Sequence, residues 1–211
     1  MRAPGRARRP PATLRTALID AAESEFATHG FDAASTRAIA ERAGAHQPQI
    51  NYHFSSKEQL WRDTVDRLFA ELDATLSHRP VTGSDQEAVA VLVGRFLRYS
   101  AERPALNRII NLEGSAPSAR LDWLVEAHLA PRFDQLAGAW RSLRSAGGGA
   151  DLTAEEVWEV ITSFGALHFA NSPMLSRLGG GHAVTVDQQV ERTLGLLGLP
   201  ASGGGIVSED G

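Results

Sequence analysis

Apolar residues recur at helical spacing from Leu14 through Leu18, Ala22 and Phe26, and Gly30 supplies a stop for that helix. Two short helical segments, 36–43 and 48–53, flank Gly44. A longer stripe covers 56–76, with Leu60, Trp61, Val65, Leu68, Leu72 and Leu76 on one broad face. The polar, proline-containing stretch 79–83 predicts a linker and a domain boundary. Beyond it the same theme repeats. Val89, Leu92, Val93, Phe96 and Leu97 form a stripe that ends at Pro104, and Leu106, Ile109 and Ile110 form a short one. Leu121, Leu124, Val125, Leu129, Phe133, Leu136 and Trp140 mark a long helix. Pro131 is expected to kink it, because proline lacks a backbone donor and clashes with the preceding turn. Val157, Trp158, Ile161, Phe164 and Leu167 form the next stripe, and Val186, Val190, Leu194 and Leu197 the last; glycine triplets at 147–149 and 179–181 read as loops. No segment shows sustained period-2 alternation. The predicted fold is all-α, with about nine helices.

Helix starts carry a second signal, a Ser or Thr followed three residues later by Glu or Gln, which can satisfy two orphan N–H groups reciprocally. The pattern occurs at Ser55–Glu58, Ser84–Glu87, Thr153–Glu156 and Thr185–Gln188, each where the periodicity begins a helix.

Composition changes this picture little. A hydrophobic content of 43% over 211 residues is ample for a core, and the absence of cysteine excludes disulfides and thiolate metal sites. The N-terminus has no apolar stretch behind its arginines, so it does not read as a signal peptide, and no apolar run could span a bilayer. A cytoplasmic protein without a membrane partner is expected. Charge is uneven: residues 1–60 carry eight basic and six acidic side chains, residues 61–211 thirteen and nineteen. Arg2, Arg6, Arg8 and Arg9 crowd into the first ten positions. A mildly basic head on an acidic body suits a nucleic-acid binder whose larger part need not touch its target.

The segment from Thr36 to His53 reads as a helix-turn-helix. Ala40 is small enough for a close helix crossing, and Gly44 permits the left-handed residue such a turn needs. Ile39, Ala43, Ala45 and Ile50 fall on the inward side. His46, Gln47, Gln49, Asn51 and Tyr52 fall on the outward side, where Gln and Asn can pair with adenine edges in a major groove. Two ordinary surface helices of a bundle would give a similar pattern.

The wider context favours the motif. ALIDAAESEFATHGFDAASTRAIAERAG and INYHFSSKEQLW, spanning about 13–69, resemble the TetR family of bacterial regulators. Phe26, Gly30, Phe31, Thr36, Ile39, Ala40, Gly44, Tyr52, His53, Phe54, Lys57 and Leu60 match the family pattern. Residues 1–12, with three Pro and four Arg and no periodic pattern, read as a disordered basic arm, and the resemblance implies a DNA-binding domain over 13–56. A connecting helix over 57–78 and a ligand-binding and dimerisation domain over 84–199 would follow, and the Gly/Ser-rich composition of 200–211 reads as a disordered tail. The resemblance implies that Ser35, Thr36 and Arg37 meet phosphate at the start of the first motif helix, with Tyr52, His53 and Lys57 also beside the backbone. Gln47, Pro48, Gln49 and Asn51 would face the groove. His46 stands where the family commonly has a Ser or Thr cap, and Asn51 where an aromatic is frequent.

The same resemblance implies a homodimer through the last two helices, 153–174 and 184–198. Its recognition helices would lie one DNA turn apart, ~34–36 Å, on a near-palindromic operator in double-stranded DNA. A small-molecule effector, of unknown identity, is expected among the central helices. Candidate lining residues are the polar positions on apolar helices, Asn107, Asn111, Glu113, His128, His168 and Asn171. Trp123, Phe133, Trp140 and Phe164 are candidate walls. Each has an alternative role as a satisfied core or surface group. No cofactor is expected, and an enzyme is disfavoured, since no metal-spaced cluster, nucleophile elbow or phosphate-binding glycine loop is present. A ligand-independent or architectural DNA-binding protein and a ligand carrier without DNA binding remain the alternatives.

Overall fold

The computed structural model describes residues 14–78, 83–178 and 184–201, and every regular element among them is helical. The basic arm, most of the 79–83 linker, the 179–181 loop and the tail beyond Ala201 lie outside the described residues. The chain divides into two units, Met1–Leu68 and Phe69–Gly211.

The first unit contains α1 (Leu14–Ala33), α2 (Thr36–Arg42), α3 (Gln47–His53) and the start of α4 (Lys57–Ser77). Its core joins one face from each: Leu18 and Phe26, Ile39, Ile50, and Leu60, Trp61 and Val65 are all buried. Burying a side chain of this kind contributes roughly 1.5–3 kcal/mol, so short helices that could not stand alone are held by shared apolar contact. Helical geometry breaks at Gly30 (φ 73°), which brings Phe31 back to stack on Phe26 at 6.1 Å and meet Trp61 edge-on at 6.3 Å. Arg67 of α4 pairs with Asp20 and Glu23 of α1.

Caps follow the expected pattern with one correction. Ser84, Thr153 and Thr185 each accept from the N–H three residues on, and Glu87, Glu156 and Gln188 reach back reciprocally. At α4 the cap is Ser56, not Ser55: the Ser56 hydroxyl accepts from the Gln59 N–H at 3.0 Å. Glu58 is thereby left free to pair with Arg62 one turn on, at 2.7 Å.

The second unit begins in the last turns of α4 and continues through α5 (Asp85–Glu102) and α6 (Pro104–Glu113). A long helix, α7 (119–145), runs from Ala119–Leu124 through a π-helical stretch, Val125–Leu129, into Ala130–Ser145. Next, α8 (154–170) contains a second π-helical stretch, Val160–Ala166. Two more helices, α9 (Ser172–Leu178) and α10 (Val186–Leu196), complete the unit. Val89, Val93 and Leu97 of α5 pack with Trp140 and Leu143 of α7, Val157 and Ile161 of α8, and Val190 and Leu194 of α10. The Trp140 indole N–H donates to the Leu152 carbonyl at 2.8 Å, so this ring is a core anchor.

The first π stretch has a local cause, and the second is met by a long-range contact. Pro131 cannot donate to the turn before it, and its ring would strike the carbonyl four residues back. The widened turn, in which the Ala130 N–H reaches the Val125 carbonyl, relieves that conflict. In α8, the buried Gln189 side chain of α10 donates to the Phe164 carbonyl at 2.7 Å, satisfying a group within the widened segment.

The ends of α2 and α10 are alike. After α2, Gly44 (φ 68°) allows its N–H to reach the Glu41 carbonyl at 3.1 Å and the Ala45 N–H to reach Ala40 at 2.8 Å. After α10, Gly198 (φ 64°) allows the matching pair, Gly198 to Gly195 at 3.1 Å and Leu199 to Leu194 at 2.9 Å. Both are left-handed C-terminal caps that satisfy the last carbonyls.

Candidate functional site

The helix-turn-helix is built from α2 and α3. Ser35 caps α2, its hydroxyl accepting from the Ala38 N–H at 3.3 Å, while its own N–H donates to the buried Glu25 carboxylate at 3.0 Å. Ile39 and Ala40 face inward from α2, and Ile50, 1% exposed, anchors α3. The opposite side of α3 carries Gln47, Pro48, Asn51 and Tyr52, all exposed, with Tyr52 86% exposed. An aromatic so bare on a short, well-anchored helix is unusual in a surface that meets only water.

Several of the predicted DNA-facing side chains already have partners. Gln47 donates through its amide to the Thr36 hydroxyl at 3.4 Å, bracing the starts of the two motif helices. Arg37 pairs with Glu41 at 3.0 Å, both exposed. Tyr52 and His53 meet edge-to-face at 5.1 Å. Lys57 donates to the Asp32 carbonyl at 3.2 Å and lies 4.8 Å over the Phe31 ring. His46 occupies the cap position of α3, and Gln49 reaches back to accept from the His46 N–H at 2.8 Å. Half of a reciprocal cap is therefore made by the Gln49 amide oxygen. Sequence reading assigned Gln49 only to the groove; the signal that it caps was its position three residues after the helix start.

The second unit encloses a cavity of about 310 Å³, near the small end of the range for ligand sites. Its walls come from the end of α4, α5, α6, α7 and α8, with all but four of the lining residues apolar. Of the candidate residues, Asn107 lines this cavity. The others lie elsewhere. Asn111 and Asn171 are exposed, and Phe164 is 44% exposed. His128 is buried, stacked on Phe69 at 4.2 Å and met edge-on by Trp123 at 5.2 Å. His168 packs edge-on against Phe169; its imidazole is held below the ordinary histidine range by desolvation, with the Arg192 charge adding to the effect. Glu113 is buried and accepts from the Ser118 hydroxyl and from Arg120 at 3.2 Å. Phe133 meets Trp158 edge-on at 5.8 Å.

Sequence reading missed most of the cavity wall, Trp158 and Thr162 of α8 and Arg132 of α7 among it. Arg132 donates to both oxygens of Asp73 at 2.7 Å, donates to the His128 carbonyl, and lies 4.5 Å over the Phe69 ring. Nothing in the linear pattern links Arg132 to a partner 59 positions away.

Among the described residues no group of His, Cys, Asp and Glu could hold a metal ion, and no helix is long and apolar enough to cross a membrane. An outward amide- and aromatic-bearing helix on a helix-turn-helix, followed by an all-helical unit enclosing an apolar cavity, defines the class of all-helical helix-turn-helix proteins. Residues 18–64 match the family described as bacterial regulatory proteins, tetR family. It is similar to the HTH-type transcriptional regulator BetI of Vibrio campbellii, 30% identical over 96 residues, which covers 44% of this chain and 48% of the relative. Similarity to the HTH-type transcriptional repressor KstR2 of Mycolicibacterium smegmatis is 37% over 70 residues, 31% of this chain and 34% of the relative. The chain thus spans half or less of the length of these relatives. A solved TetR-like transcriptional regulator from Rhodococcus sp. RHA1 shares the fold, with a TM-score of 0.66 at 19% identity over 90% of this chain and 96% of that one.

Proposed function

We propose that this chain is a sequence-specific DNA-binding transcriptional regulator, a repressor released by a small-molecule ligand, and not an enzyme. The observation that carries the reading is α3: a helix anchored by Ile50 that turns Gln47, Asn51 and a nearly bare Tyr52 to the outside. Those groups can read base edges and stack against a sugar-phosphate wall, and the start of α2 can meet phosphate. The division into DNA-binding domain 13–56, connecting helix 57–78 and ligand and dimerisation domain 84–199 belongs to this proposal. So do the arm and tail outside the described residues.

A homodimer is part of the same reading. Phe164 of α8, Met174 and Leu178 of α9 and Leu196 of α10 leave large apolar surface exposed late in the chain, 53% for Met174 and 79% for Leu178. Such surface suits burial against a second copy. The relatives are named as transcriptional regulators, which supports the functional class.

The test is selection of genomic fragments retained by the purified protein at near-physiological salt, followed by sequencing. Recovery of one near-palindromic site is expected. Retention without sequence preference would favour an architectural DNA-binding protein, and no retention a ligand carrier; either would overturn the reading.

A further inference from the structure

Three helices of the second unit close their caps locally: Glu87, Glu156 and Gln188, three residues after the capping hydroxyl, accept from the N–H of the cap residue itself. In α2 the corresponding position holds Ala38, which has no acceptor to offer. The Ser35 N–H is met instead by Glu25 of α1, ten residues back, at 3.0 Å. Glu25 is only 5% exposed, and its second oxygen faces the exposed His29 imidazole at 4.0 Å, too far for a hydrogen bond. Exchanging a buried charge for an apolar side chain of similar volume is often neutral or stabilising, so stability alone does not account for this carboxylate. Its effect is geometric: it ties the first turn of α2 to the buried face of α1. That turn adjoins α3, since Thr36 accepts from the Gln47 amide at 3.4 Å.

Resting on the reading of this chain as a sequence-specific DNA-binding protein, we infer that Glu25 is a positioning residue for base reading. From α1 it fixes the start of α2, and through α2 the orientation in which α3 presents Gln47 and Asn51. Glu25 touches no DNA; it acts on the helix that supports the reading helix. Base edges are read only at hydrogen-bond distance and angle, whereas attraction to phosphate tolerates a loosened helix. Losing the tie therefore lowers discrimination more than general affinity.

Fluorescence anisotropy on the full chain compares two duplexes of equal length, the site recovered by genomic selection and a random sequence. The parent should prefer the first. Glu25→Met keeps the bulk and removes the acceptor. It should lower affinity for the site about tenfold, the scale of one lost cap, and for the random duplex by less than about twofold. Its unfolding midpoint should equal or exceed that of the parent. Should methionine not fit, Glu25→Leu removes the same acceptor and is read the same way. Glu25→Gln keeps an oxygen at the same reach and should keep the parent preference. Ala38→Gln in the Glu25→Met background supplies an acceptor within α2, and so a cap without the tie to α1. Measured against Ala38→Gln alone, that double variant should still show the lost preference. An unchanged preference in Glu25→Met, a lost one in Glu25→Gln, or full recovery by Ala38→Gln would overturn the inference and leave the DNA-binding reading standing. So would equal losses on both duplexes with a lowered midpoint, because Glu25 would then serve only the stability of the first unit. A parent that binds both duplexes alike, or neither, would overturn that reading together with the inference.

Discussion

Gly44 and Gly198 have nearly the same backbone, φ 68° and 64°, and the same pair of capping hydrogen bonds, yet alanine should cost them differently. For an L-residue the left-handed region costs roughly 1–2 kcal/mol, because Cβ crowds the following carbonyl oxygen. At Gly44 that is the whole cost, since an added Cβ meets nothing within 4 Å. At Gly198 the Cβ would sit 2.8 Å from the Ala150 nitrogen and 3.1 Å from the Gly149 carbonyl carbon. Both are backbone atoms, and the Ala150 N–H is itself held by the Leu197 carbonyl at 2.8 Å. No side chain can swing aside, so overpacking adds roughly 1–3 kcal/mol to the dihedral term. Gly44→Ala should therefore destabilise by about 1–2 kcal/mol and Gly198→Ala by about 2–5 kcal/mol. Gly44→Asn should fall below Gly44→Ala, because asparagine tolerates the left-handed region. Urea unfolding followed by circular dichroism measures all three, with midpoint and slope fitted separately so that unequal unfolding of the two units is visible. Equal losses at Gly44 and Gly198 would refute the close-approach argument. An asparagine as costly as alanine at 44 would refute the dihedral one.

DNA binding should separate two kinds of contact. Gln47→Ala should lose about 1–3 kcal/mol at the preferred site and little on random DNA, whereas Lys57→Ala should weaken both alike and lower the salt slope by about 1. Identical behaviour of the two variants in salt-titrated binding assays would show that the division into base and phosphate contacts is wrong. The pH response of stability should carry a signature of His168. Its folded value lies below the ordinary 6.5, so the unfolded chain takes up the proton first as pH falls. Stability from this group is therefore fully present above about 6.5 and declines as pH drops from there to the lower folded value. His168→Gln should flatten thermal midpoints across that window, and an unchanged slope would remove His168 as the cause.

The folding of the first unit was largely legible in the chain because its determinants are local. Hydrophobic spacing placed α1 to α4 within a few residues, Gly30 and Gly44 marked the breaks, and the outward residues of α3 followed from Ile50 facing in. Ser56 displaced Ser55 as the α4 cap because two adjacent hydroxyls offer the same chemistry, and only the backbone path chooses between them. Gln49 was legible by position as a cap and by chemistry as a reader of bases; the fold shows its amide oxygen used for the cap.

The helices of the second unit were equally plain as stripes, but a stripe says only that a face is buried, not which neighbour covers it. Composition and periodicity placed Asn107, His128 and His168 alike on mostly apolar helices. Tertiary packing then stacked His128 on Phe69, desolvated His168 beside Arg192, and left the Asn107 amide nitrogen with no acceptor at a cavity wall. Arg132 and Asp73, or Gln189 and the Phe164 carbonyl, are 59 and 25 positions apart, and hydrogen bonds over such separations have no period in the sequence. By itself the sequence determined most of the helices and the outward face of α3, because those depend on neighbours within a turn or two. The cavity and the side chains that line it were decided by which helices met, because an empty volume exists only between surfaces that the chain brings together from far apart.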